Sequence, residues 1–405
     1  MEPKRSQRIS IYEGLLAVVF INWTTGLVTT GYALYLGASP AALSFLGALP
    51  LLAQLASPLA PLVRGSPGRL TVRLVRWGRT LFLPVLFSAF LPPPWRLANL
   101  LFWAALSQLV QAPAGVLWTS WMADLVPEGD RGRYFGYRNA VTGLVGTLAN
   151  LAAGALLDVL SHPLGFVLIL GIGMFLGLLS PFLMALQHDP PPRAAHPRLG
   201  ELLAPLLGSE LRPFLLFLAG WNGAVMVGSP LVFPYFLQDV RMDYLQASLY
   251  TLISAAVTLV LGPLWGRIAD RRGHRWVLLE ATLVAGLFPL GWLLGAPGRL
   301  APIYLTAFFD GGAWSAITPA LVNFGLQWAP PARRTVYLAL YGVAGALGGL
   351  LGSLLGGALG DLGGYRLALL ASAAARLAMA LSLRLVPALR APGPARALRS
   401  PGEGS

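Results

Sequence analysis

Twelve apolar stretches, each roughly 20 residues or longer, run along this chain, and positive charge is sorted between the turns that join them. Of 29 Lys+Arg residues, 24 lie at the ends or on every second turn. They are Lys4 to Arg8, Arg64 to Arg79, Arg131 to Arg138, Arg193 to Arg212, Arg267 to Arg275, Arg333 with Arg334, and Arg384 to Arg399. The turns between carry only Arg96, Arg241, Arg299 and Arg366, and Arg376 is left inside an apolar stretch. Membrane proteins keep their surplus of Lys and Arg on the cytoplasmic side. The pattern predicts an all-α membrane protein with both termini cytoplasmic and an even number of crossings.

Read between turn signals, the segments are 11–36, 41–63, 72–91, 97–124, 134–158, 164–187, 212–238, 244–268, 276–296, 301–327, 335–360 and 366–387, twelve transmembrane helices in all. Fifty-six per cent hydrophobic and 11% charged residues exclude an ordinary soluble domain, in which about a quarter of residues are charged. The net charge of +13 forms no continuous basic face, so nucleic acid is not an expected partner. Without cysteine there is no disulfide, thiolate metal site or cysteine nucleophile. The basic N-terminus leads into an apolar run too long for a signal peptide. Three prolines at 190–192 exclude regular helix and mark a linker. The expected domains are a six-helix bundle (1–187), a cytoplasmic linker (188–211), a second six-helix bundle (212–390) and a disordered tail (391–405). Lys4 is the single lysine in an Ala-, Leu-, Gly- and Arg-rich chain, a composition that suggests a bacterial source and hence the inner membrane.

The halves echo each other. Shifted by 203 positions, Pro127, Arg131, Tyr134, Gly146, Gly154, Ala155 and Asp158 fall on Pro330, Arg334, Tyr337, Gly349, Gly357, Ala358 and Asp361. Shifted by 200, Asn22 and Tyr35 fall on Asn222 and Tyr235. Internal repeats of this kind mark transporter folds.

Between the eighth and ninth segments the chain reads Gly266-Arg-Ile-Ala-Asp270-Arg271-Arg-Gly273-His274-Arg275. Gly266 permits close helix approach, Asp270 can pair with a cation or a helix N-terminus, and Gly273 permits a sharp turn. This loop resembles the signature of the major facilitator superfamily, with His274 replacing the first basic residue. The resemblance implies twelve helices in two pseudo-repeat bundles and a gate loop at Gly266, Asp270, Arg271, Gly273 and Arg275. It also implies that the protein works as a monomer. The matching loop of the first half departs from the pattern, with Pro61 and Gly65 at the glycine and aspartate positions. Trp121 to Gly146 resembles the turn between helices 4 and 5 of bacterial members, where Asp124, Arg131, Arg133 and Arg138 form a cytoplasmic ion cluster or simply a solvated turn. Two marks of proton-coupled exporters are missing: an arginine within the fourth segment and a proline between Gly143 and Gly154.

Polar stripes at helical spacing face a partner or a cavity when they lie in lipid. One stripe holds Asn22, Thr25, Thr29 and Tyr32, and a second Gln108, Gln111, Gly115 and Trp118. The seventh segment offers Asn222, Met226, Ser229 and Phe233, and the tenth offers Trp314 and Thr318. In the superfamily these four helices line the central cavity. Asp310 reads as the only acid well inside a segment. It is a candidate proton or cation site, because burial favours the neutral carboxyl and lets it load and release a proton. It can equally cap a half-helix broken at Gly311-Gly312, or pair with Arg376. Neutral and aromatic residues at the other positions favour an uncharged or amphipathic organic solute. Helix 11 carries a dense glycine face for close packing, and prolines 58, 113, 230, 234, 263, 289 and 319 predict kinks. The resulting reading is a proton-coupled secondary transporter needing no cofactor or metal. The alternatives are an uncoupled facilitator and a polytopic membrane sensor or enzyme. Against an enzyme, the four histidines lie far apart in turns and no nucleophile constellation appears.

Overall fold

Lipid offers backbone N–H and C=O groups no water, so a spanning chain satisfies them within helices or a closed barrel. A computed structural model describes residues 2–56, 65–189, 211–327 and 334–389 and follows the helical solution. Among those residues the sole β feature is an isolated bridge between Ala296 and Arg299. The helices are α1 (Glu2–Thr25), α2 (Leu27–Tyr35), α3 (Pro40–Ala56), α4 (Pro67–Thr80), α5 (Pro93–Leu125), α6 (Arg131–Val159) and α7 (Leu164–Met184). They continue as α8 (Arg212–Gly228), α9 (Val232–Gln238), α10 (Tyr244–Arg272), α11 (His274–Leu293), α12 (Ala301–Leu326) and α13 (Arg334–Leu385). Eight stretches of the described residues are long and apolar enough to cross a membrane, and large side chains such as Val260, Phe175 and Leu259 point outward to lipid. The chain is thus an all-α polytopic membrane protein. Most of the predicted linker (190–210), the tail (391–405), Pro58, Pro61 and the Arg333 turn lie outside the described residues.

Helix boundaries moved where local chemistry was misread. The third segment starts at Pro67, not 72, because Ser66 accepts from Arg69 N–H as an N-cap and Pro67 needs no donor partner. It then tightens into a 3-10 stretch over Leu83–Phe90, where Pro84 lacks an N–H. Segments eleven and twelve remain two helices, here the two arms of α13, parted at Gly363 and Gly364 (φ −140° and 73°), where the backbone leaves the helical region. The helices α5, α10, α11 and α12 continue through Pro113, Pro263, Pro289 and Pro319. Helical runs break at Gly26, between α1 and α2, and at Ser229–Leu231, between α8 and α9, where Pro230 is one of the prolines expected to kink.

The expected glycine face on α13 packs against α8. Side chains at Gly348, Gly352 and Gly356 would run into the carbonyl oxygens of Ala219, Gly223 and Val227, so two backbones meet with nothing between them.

Candidate functional site

Asp310 sits within α12, which stays helical through Gly311 and Gly312, and this overturns the cap reading. Those glycines serve packing: a side chain on Gly311 would strike the backbone of Ser254 on α10. That close approach lets Ser254 Oγ donate to Asp310 Oδ2 at 2.7 Å and Thr258 Oγ1 to the Gly311 carbonyl at 3.0 Å. Arg376, on the second arm of α13, is 1% exposed. Its guanidinium donates to the carbonyls of Val225 (3.1 Å) and Ala285 (3.3 Å), and to Ser229 Oγ (3.2 Å) and Ser372 Oγ (3.1 Å). It also lies 5.6 Å over the Trp292 ring, whose Nε1 donates to Tyr250 OH at 3.0 Å. Arg376 therefore makes no direct ion pair with Asp310. The two charges act on each other through space across one polar cluster spanning α8, α10, α11, α12 and α13.

A second buried cluster escaped sequence reading. Glu13 on α1 and Arg79 on α4 are 2% and 3% exposed. Ser180 Oγ donates to Glu13 Oε1 at 2.9 Å, and Arg79 Nη1 donates to Ser180 Oγ and the Gly177 carbonyl, both at 2.6 Å. Arg138 Nη2 lies 3.7 Å from Glu13 Oε2, and its guanidinium covers the Trp118 ring at 4.4 Å. Gly14 makes room, since a side chain there would meet the Arg138 guanidinium. In the predicted cytoplasmic cluster the three arginines take separate partners. Arg138 turns inward to Glu13, Arg131 donates to the Ala123 and Val126 carbonyls and pairs with Glu128, and Arg133 pairs with Asp130. Asp124 is half-buried near the end of α5.

The opposite ends of the helices carry two matched contacts. At the end of α6, Asp158 accepts from the N–H groups of Tyr244 (2.8 Å) and Leu245 (2.9 Å) at the start of α10. Asp361, 203 positions later on α13, accepts from Ala41 N–H at 3.1 Å at the start of α3. One turn inward, Ser248 Oγ donates to the Asn150 carbonyl (3.1 Å) and Ser353 Oγ to the Ser44 carbonyl (2.7 Å). Gly154 and Gly357 admit the partner helices at both seams. Nearer the arginine-rich end the α6–α10 seam opens, with Gly132, Gly136 and Gly143 on α6 and Gly262 and Gly266 on α10 facing empty space, while α3 and α13 stay in contact through Gln54 and Gly342.

Residues 214–404 match the family model described as Major Facilitator Superfamily. The match covers just under half of the chain, and over that length the protein is similar to this family. No curated protein matches the sequence. Solved structures match nearly all of it. The nucleoside transporter NupG has 14% identity and a TM-score of 0.75, covering 93% of this chain and 98% of that one. The inward-open xylose transporter XylE from E. coli has 16% identity and a TM-score of 0.69, covering 95% and 96%. A bacterial homologue of the iron transporter ferroportin, in an inward-facing state, has 14% identity and a TM-score of 0.70, covering 94% and 98%. At such identities the likeness is one of fold.

At the loop that the sequence marks as a candidate gate, the expected contacts are only partly present. Gly266 was expected to allow close helix approach, but the helices stand apart at this end and nothing approaches it. Asp270 and Arg271 are exposed, with no ion pair among the described residues. Gly273 makes the turn at φ 86°, as expected, and Arg275 donates to the Leu383 carbonyl on α13. The cavity stripes divide. Tyr32 and Thr29 belong to packing: Tyr32 OH accepts from Ala89 N–H at 2.8 Å, and Thr29 Oγ1 donates to the Trp23 carbonyl beside the Gly26 break. Gln111 is turned toward Gly78 on α4 and bonded to Ser107, and Ser229 is held by Arg376. Thr25 and Thr318 are exposed, while Asn22, Gln108, Trp118, Asn222 and Trp314 are half-buried. Asn22 packs on Gly146 and Asn222 on Gly345, one in each half.

Proposed function

We propose that the chain is a twelve-crossing secondary transporter whose two six-helix halves, with both termini cytoplasmic, move a small organic solute by alternating access. The observation that carries this reading is the unequal closure of the two faces. Asp158, Asp361, Ser248 and Ser353 join the outer ends of α6 with α10 and of α3 with α13, while the arginine-rich ends of α6 and α10 stand clear. A single-site carrier needs this geometry in one half of its cycle. The partly buried groups that remain, Asn22, Gln108, Trp118, Asn222 and Trp314, are neutral and suit an uncharged or amphipathic solute. Asp310 is the proposed proton or cation site, because its carboxylate is held by neutral donors, the Ser254 hydroxyl and the Trp314 side chain, and has no direct cationic partner among the described residues.

A second reading, an uncoupled facilitator, is favoured by Arg376. Its charge lies within electrostatic reach of Asp310 and balances it without a proton. Uptake into proteoliposomes under an imposed pH gradient separates the two, using nucleosides, sugars, amino acids and lipophilic cations as the panel. Coupling through Asp310 predicts gradient-driven accumulation in the wild type, and in Asp310→Asn only equilibration. Equal accumulation by both proteins removes Asp310 from coupling, and equilibration by both makes the protein a facilitator. Binding without exchange would make it a sensor.

A further inference from the structure

The start of α4 and the end of α7 enclose a groove of about 230 Å³ on the arginine-rich side, apart from both buried clusters. Arg69, Arg73 and Arg76 line it. Their spacing puts three guanidinium groups on one face of α4 over roughly 10 Å of helix, which is the depth of a headgroup layer and the first carbons beneath it. Asp189 closes one end. It accepts from Gly68 N–H at 3.1 Å and from Ser66 Oγ, and pairs with Arg69 at 3.4 Å. That leaves Arg73 and Arg76 with no carboxylate partner among the described residues. Arg76 lies 5.0 Å over the ring of Phe182, which is itself 57% exposed toward lipid.

Gln187 completes the lining. It is 5% exposed, yet neither its amide nitrogen nor its amide oxygen has a hydrogen-bond partner among the described residues. Buried polar atoms are seldom left so, and this side chain brings to the groove's lining an amide with two N–H donors and an acceptor oxygen. Guanidinium groups bind phosphate oxygens through paired N–H donors, whereas an amide oxygen needs a donor from the ligand. A bare phosphate diester has none at neutral pH, and a choline headgroup adds a second cation beside the arginines. We propose that the groove binds the headgroup of an anionic phospholipid whose phosphodiester carries free hydroxyls, as in phosphatidylglycerol. The phosphate lies against Arg73 and Arg76, a headgroup hydroxyl donates to Gln187 Oε1, and the acyl chains run down past Phe182.

Delipidated protein in neutral detergent is titrated with short-chain phosphatidylglycerol, phosphatidic acid, phosphatidylcholine or inorganic phosphate. Thermal midpoint and bound lipid, by native mass spectrometry, are read together. The wild type is expected to be stabilised by phosphatidylglycerol and not by phosphatidylcholine. Each juxtamembrane arginine contributes roughly fivefold to binding an anionic surface, so Arg73→Ala with Arg76→Ala should weaken binding by roughly 25-fold. Removing the same charge by Arg133→Ala with Arg384→Ala should leave it unchanged. Gln187→Leu should raise the midpoint of the lipid-free protein, which shows that it folds, and abolish the preference for phosphatidylglycerol over phosphatidic acid. Equal stabilisation by phosphatidylcholine, full stabilisation by inorganic phosphate alone, or undiminished binding by the double Arg73/Arg76 variant would each overturn the proposal.

Discussion

Glu13 and Arg79 are almost wholly inside the protein, and what each gains by being there depends on the other. Two cations, Arg79 and Arg138, converge on one carboxylate and one serine, so replacing Glu13 with glutamine leaves two guanidinium groups without a counter-charge. Breaking a buried pair from one side costs about 3 kcal/mol or more. Glu13→Gln should therefore lower the thermal midpoint well beyond Glu128→Gln, whose partner Arg131 is a surface pair. Equal midpoints for the two variants would mean that water reaches the cluster. These residues were legible in principle. Ser66-Pro67 is a helix-start signal, and beginning the helix there moves Arg79 a full turn deeper than a start at 72. Glu13 was hidden by its closeness to Lys4, Arg5 and Arg8, which made it read as one more charge of the cytoplasmic end. Asp310 was legible because nothing charged surrounds it in sequence. What its neighbours Gly311 and Gly312 do was not, since only the position of α10 shows that they serve packing.

At the scale of elements, the seams decide what moves. Asp158 and Asp361 each bind the N-terminus of a helix in the other half, where the helix dipole and free N–H groups favour a carboxylate. Asp158→Ala and Asp361→Ala should each shift the protein toward an outward-open form, by about 2 and about 1 kcal/mol, about 1 for each N–H bond lost. The chain has no cysteine, so one introduced as Ser248→Cys reports that opening through its labelling rate by a membrane-impermeant thiol reagent. A rate unchanged by both alanine substitutions would show that the seam is held by packing alone. His162 adds a pH dependence. Its ring stacks on Phe166 at 4.5 Å and meets Tyr244 edge-on at 6.0 Å, and burial holds its imidazole below the usual histidine range, with Asp158 pulling the other way. The closed face thus binds this proton less well than an open one. Closure is undiminished above the ordinary histidine value and is weakened as outside pH falls through about 6.5. Labelling should accelerate in acid, and His162→Gln should abolish the acceleration. The seam between α8 and α13 behaves differently. Gly352→Ala should prevent the two helices from meeting and cost several-fold in folded yield, whereas Gly266→Ala, facing open space, should be neutral.

For the whole molecule, the length of the apolar runs located the long helices, because lipid imposes a length. The repeat register of 203 residues also had a visible physical meaning once the seams were seen, since it pairs Asp158 with Asp361. The cavity was less legible. Helical spacing placed Tyr32 and Gln111 on the faces of their helices, but their packing partners, Ala89 and Gly78, come from a neighbouring segment that no single-helix pattern contains. The outer latch has one more consequence, for direction. Three N–H bonds to carboxylates at about 1 kcal/mol each would hold all but roughly 1% of unliganded molecules closed to the outside. A solute arriving from the cytoplasm meets an open site, while one arriving from outside must wait for a rare conformer. The two faces should therefore show half-saturating concentrations differing by roughly 100-fold, with maximal rates differing to match when no gradient drives the cycle. A carrier bolted at one door is a rectifier at low solute concentration, and Asp158→Ala with Asp361→Ala should make it symmetrical.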